Sequence, residues 1–78
     1  MSVSLTANGA IELRERCTMD EAETLHSLLT RNPGAVVDWR ACTYAHTAVI
    51  QVLVAARPKL IGPPAGAFLR SFVEAAIA

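Results

Sequence analysis

His46 and Thr47 set an imidazole beside a hydroxyl in the stretch VVDWRACTYAHTAVIQVLVAA, Val36 to Ala56, where an apolar strand gives way to an apolar helix. Such a pair suits three kinds of chemistry: a base-activated nucleophile, a hydroxyl that takes a phosphate, or a helix cap. Adjacency in the chain does not by itself bring an imidazole nitrogen onto the neighbouring hydroxyl in the geometry that proton transfer needs. The carboxylates give no help, because Asp20, Glu21 and Glu23 share one exposed helical turn and the rest are scattered. His26, His46, Cys17 and Cys42 can be assembled on paper into a zinc site, but their spacing matches no zinc pattern. No GxGxxG or P-loop run cradles a phosphate. The chain is therefore expected not to be an enzyme and to hold no cofactor and no metal.

The elements that position these residues follow from periodicity. Val3, Leu5 and Ala7 alternate on one side of Asn8-Gly9, and Ile11 and Leu13 on the other, with Glu12, Arg14 and Arg16 on the opposite face. This predicts strands near 3–7 and 10–16 joined by a type I′ turn. Thr18 and Glu21 have the spacing of a capping box, ahead of Ala22, Leu25, Leu28 and Leu29 at helical intervals. Asn32-Pro33-Gly34 stops that helix. His26 reads as a surface or boundary residue beside its apolar stripe.

Ala35–Trp39 reads as a buried strand in a partly parallel sheet. A second helix is expected from Thr47 or Ala48 to Arg57, with Thr47 as its N-cap and Val49, Ile50, Val52, Leu53 and Ala56 on its apolar face. Lys59–Gly62 is a further short strand. A last helix is predicted over 65–77, with Phe68, Leu69, Phe72, Val73, Ala76 and Ile77 inward and Arg70, Ser71 and Glu74 outward. The fold class is thus α/β: residues 1–78 as a single domain, a small mixed four-stranded sheet with an N-terminal hairpin and three helices, in the order ββαβαβα.

Composition narrows the function classes. Seven basic and seven acidic residues leave no net charge, so neither nucleic acid nor an anionic membrane surface is an expected partner. No apolar run reaches the roughly 18 residues needed to span a bilayer. The N-terminal residues have neither the basic nor the apolar region of a signal peptide, which points to the cytoplasm. Cys17 and Cys42, isolated and without CxxC spacing, are expected as free thiols packed as small hydrophobes.

The same central stretch resembles the signature of STAS domains, the fold of bacterial anti-sigma factor antagonists. That signature is a strand ending apolar-Asp-apolar, a short loop, then Asp-Ser/Thr-Ala/Ser-Gly-Leu and a run such as Gln-x-Leu-Leu-x-Ala. Val37-Asp38-Trp39 is similar to the strand end, Thr47-Ala48 to the switch hydroxyl and its small neighbour, and Ile50–Ala56 to the helix that follows. Leu60-Ile61-Gly62-Pro63-Pro64 resembles the next strand and the start of the last helix. His46 stands where the family has an acid, and Val49 where it has glycine. The Thr-Ala form without glycine looks more like STAS proteins encoded with chemotaxis genes, or the STAS subunit of lipid-transporting ABC systems.

The resemblance implies a protein-binding module in signal transduction and transcription regulation. Its partner would be an anti-sigma kinase or a related signalling protein, held through Asp38, His46, Thr47, Ala48, Val49, Ile50 and Gln51. Phosphorylation of Thr47 would be its switch. The alternative it implies is a constitutive subunit of an ABC-type transport or chemotaxis-associated complex, with Thr47 purely structural. Direct membrane insertion is not expected. A homodimer through the last helix or an open sheet edge is a further expectation.

Overall fold

The structure, a computed structural model, describes residues 2–73, apart from the side chain of Phe72. It is a small α/β domain. Strands β1 (Val3–Leu5), β2 (Ile11–Cys17), β3 (Val37–Ala45) and β4 (Leu60–Ile61) form one sheet in the order β1-β2-β3-β4. β1 runs antiparallel to β2, and the other two pairings are parallel. Helices α1 (Glu21–Arg31) and α2 (Thr47–Ala56) each follow a parallel strand and return the chain to the next. The order departs from the expected one in its last element. A π-helical turn, Leu69–Val73, stands where an α-helix was predicted. The expected stripe residues Ala76 and Ile77, with Glu74, lie outside the described residues.

The hairpin differs from the predicted type I′ turn. Only Gly9 takes a positive φ, +87°. The amide of Gly9 donates to the carbonyl of Thr6 (3.0 Å), and the amide of Thr6 to that of Ala10 (2.7 Å). The Thr6 hydroxyl bonds Asn8 Oδ1 and accepts from the Ala10 amide. The loop therefore has three residues, a turn followed by one left-handed glycine, and β1 ends at Leu5.

The capping box does not form either. Thr18 Oγ1 donates to Asp20 Oδ1, Asp20 flanks the helix without a side-chain cap bond, and Glu21 accepts from the Ser2 amide at 3.1 Å. A long-range partner has taken the carboxylate that a local box would use. At the other end of α1 the expected stop holds: both the amide and the Nδ2 of Asn32 donate to the Leu28 carbonyl.

One sheet face carries the core. Ile11, Leu13 and Cys17 of β2 and Val37, Trp39, Cys42 and Ala45 of β3 are buried against Leu25, Val49, Leu53, Leu69 and Val73. The other face is polar: Ser4, Arg14, Arg16 and Arg40 are exposed, and the Arg16 guanidinium lies 4.3 Å above the ring of its cross-strand neighbour Tyr44. Two register shifts, between Glu12 and Arg14 and between Glu15 and Arg16, bend β2 against β3. Glu15 takes a φ of +55° at the second. Among the described residues no helix is long and apolar enough to cross a membrane.

β3 is much longer than the predicted run to Trp39. It continues through Arg40–Ala45, beyond the reach of the two-residue β4. Beyond β4 the chain covers that edge itself, where the amide of Gly66 donates to the Cys42 carbonyl at 3.0 Å.

Candidate functional site

The candidate site forms where β3 ends and α2 begins, with a single residue, His46, between them. His46 is extended (φ −61°, ψ 151°), and its Nδ1 accepts from the Ala48 amide at 3.0 Å. Its own amide donates to the Cys17 carbonyl (2.9 Å), and its carbonyl accepts from the amides of Val49 and Ile50. The backbone and side chain are thus both fixed. An Nδ1 that accepts a hydrogen bond leaves the proton of the neutral ring on Nε2.

This corrects the cap assignment. His46, not Thr47, is the N-cap of α2. Imidazole Nδ1 reaches the amide two residues on, as the oxygen of an Asp or Ser cap does. Thr47 becomes the first residue of the helix. It is exposed, and no described residue hydrogen-bonds its hydroxyl. The first turn of α2 contains no acidic side chain, whereas that of α1 has Glu21 and Glu23. The positive end of the α2 dipole is therefore uncompensated.

The cap predicts a measurable loss. His46→Ala should cost about 1 kcal/mol of stability, the typical value of a lost N-cap acceptor. His46→Asp should keep or exceed wild-type stability, since a carboxylate there caps and also meets the dipole. Chemical denaturation checks both, and the Ala48 amide should lose hydrogen-exchange protection in the alanine variant only.

The structure divides the residues expected to bind a partner. His46, Thr47, Ala48 and Gln51 share the helix start, and Ile50 is half-buried beside them. Val49 is fully buried in the core and offers no surface. Asp38 is separated from the rest. It lies near the start of β3, seven residues before Ala45, roughly 20 Å along a strand. There Arg40 grips it in a bidentate pair (Nε–Oδ1 3.0 Å, Nη2–Oδ2 2.8 Å) and also donates its amide. The Arg40 guanidinium holds the Asp38 carboxyl below the usual carboxylate range. The length of β3 is what parts Asp38 from Thr47.

His26 adds to the site from a direction the sequence reading passed over. α1 and α2 lie side by side, and a groove of about 590 Å³ runs between them, lined by Ala22, His26, Leu29, Ala48, Gln51 and Val52 among others. Residues 22, 26 and 29 fall on one helical face, so that spacing was the signal available. Among the described residues no three histidine, cysteine or acidic side chains converge to hold a metal, so the four paper ligands stay apart as a set. Cys17 and Cys42 are free and fully buried.

Comparison with known proteins returned no family model, no curated relative and no solved structure that matches the chain.

Proposed function

We propose that the chain is a cytoplasmic, non-enzymatic regulatory module, STAS-like, that binds a signalling protein of the anti-sigma kinase type through the start of α2, with Thr47 as its phosphate acceptor. One observation carries this reading: His46 does the capping, so the Thr47 hydroxyl is exposed and has no structural duty. A threonine needed only as a cap would be engaged. The uncompensated helix N-terminus also tolerates the roughly −1.5 to −2 charge that a phosphate adds. That charge would sit beside the apolar groove a partner would cover, and would eject the partner without unfolding the domain.

The test incubates the chain with ATP and a serine/threonine kinase of the anti-sigma type, and maps phosphate by mass spectrometry. Phosphate is expected on Thr47, and Thr47→Glu is expected to weaken partner binding at least about tenfold, or roughly 1.4 kcal/mol. An unmodified Thr47, together with a Thr47→Glu variant that binds like wild type, would sink the switch.

The apolar lining of the α1–α2 groove favours a second reading, a constitutive subunit of a transport or chemotaxis-associated complex. In that case co-purification with an ATPase or chemotaxis component persists regardless of ATP, and is lost on Thr47→Arg.

A further inference from the structure

Cys17 closes β2, and Cys42 lies on the adjacent parallel strand β3. Both side chains are fully buried, and their sulfurs are 4.0 Å apart. That is an S–H···S approach, about twice the ~2.05 Å of a disulfide bond. Cys42 Sγ also donates to the Tyr44 carbonyl (3.4 Å), and Cys17 Sγ lies 3.9 Å from the Arg14 carbonyl. The register shift and the left-handed Glu15 fall beside this pair. A bulge leaves a residue out of the ladder, so the strands can approach here without breaking a regular run of bonds.

Backbone hydrogen bonds tie each cysteine to another part of the fold. The Cys17 carbonyl accepts the His46 amide, and the Cys42 carbonyl accepts the Gly66 amide. A change in the distance between the two sulfurs is therefore passed to the cap of α2 and to the segment that covers β3.

We propose that Cys17 and Cys42 form an oxidation site, converted by hydrogen peroxide into an intramolecular disulfide that displaces the start of α2. The Cys42 thiolate attacks one peroxide oxygen. The O–O bond breaks, and the departing hydroxide takes up the thiol proton as water, leaving a sulfenic acid. The Cys17 sulfur then attacks the Cys42 sulfur. The S–O bond breaks, and the second hydroxide leaves as water with the Cys17 proton. Two thiols and one peroxide become one disulfide and two waters, and two electrons pass from sulfur to oxygen.

Cys42 is the attacking thiol. The hydrogen bond from Cys17 holds it below the usual thiol range, while the same contact and burial push Cys17 up. Peroxide is small enough to reach the pair through local opening. The proposal stands whether or not Thr47 is phosphorylated.

The experiment treats the reduced full chain with hydrogen peroxide. Both thiols should be lost to titration in denaturant, the intact mass should fall by two hydrogens, and peptide mapping should find residues 17 and 42 cross-linked. Dithiothreitol should reverse all three changes, and the NMR amide signals of His46, Ala48 and Gly66 should shift on oxidation. In Cys17→Ala, dimedone should trap a sulfenic acid at Cys42. Thiols that stay countable, oxygen adducts in place of a cross-link, or dimers linked between chains each overturn the site. A cross-link that leaves the amides of His46 and Ala48 unmoved overturns its action on α2. If the alanine variant does not fold, mapping of the oxidised wild type decides alone.

Discussion

Gly66→Ala is expected to loosen the C-terminal segment from β3 and to lower the melting temperature by about 5–20 °C, equivalent to roughly 1–3 kcal/mol in a domain of this size. A Cβ at residue 66 would lie 2.2 Å from the Thr43 carbonyl oxygen and 2.8 Å from its carbon. Both are backbone atoms, so no rotamer change relieves the clash. Either β3 or the 62–68 segment must move, and with it the bond from the Gly66 amide to Cys42. Pro64, Leu69 and Val73 are buried by the same docking, and Arg70 Nη1 braces it by donating to the carbonyls of Pro64 and Ala65. Thermal unfolding followed by circular dichroism measures the loss. An unchanged melting temperature would mean that the strand and the segment do not lie this close.

Trp39→Ala should have the largest effect of any single change, about 3–5 kcal/mol. Trp39 is the bulkiest of the fully buried side chains and sits on the core face of β3. A 78-residue domain has a total stability of roughly 4–12 kcal/mol, so a loss of this size removes about a quarter of it or more. The indole also carries an unusual burden, because no described residue accepts from its buried Nε1. An unpaired buried donor costs about 1–3 kcal/mol. Trp39→Phe removes that donor while keeping most of the volume, so its net loss should stay under about 2 kcal/mol. Urea denaturation followed by circular dichroism ranks the two variants. Both variants lack the indole N–H, so equal losses would show that the ring kept by phenylalanine restores none of the packing.

Much of the fold was readable in side-chain order, because burial there follows a simple period. Ile11 and Leu13 alternate with Glu12 and Arg14, and the structure buries the first pair and turns Arg14 outward. Val49 and Leu53 fall on one helical face and enter the core. The second half of β3 was not readable. In Arg40–Ala45 only Cys42 and Ala45 are buried, three residues apart, because the sheet is bulged there and the two-residue period is lost. Features set by distant partners escaped in the same way. Nothing near Glu21 indicates that it will bond the Ser2 amide rather than close a capping box.

At the candidate site, Thr47 and its surroundings were legible, but the division of roles was not. Caps are recognised by short oxygen-bearing side chains, and a histidine supplying Nδ1 has no such mark. The placement of Asp38 depends on the length of β3, so it could not be seen before the strand was. The residues that share the helix start are those within one or two turns of Thr47, where sequence distance and spatial distance agree.

The hydrogen bond from the His46 amide to the Cys17 carbonyl has a kinetic consequence. It is the last rung of the parallel β2–β3 pairing, which joins residues 26 to 28 positions apart, from Ile11 with Val37 to Cys17 with Ala45. Parallel pairing across a helical crossover is among the slower contacts a chain makes, because loop closure precedes any gain. The hairpin of β1 and β2 can form early and contributes nothing to the α2 cap. The surface around Thr47 is therefore expected to be completed late in folding, so that a partner recognising it would reject nascent or half-folded chains.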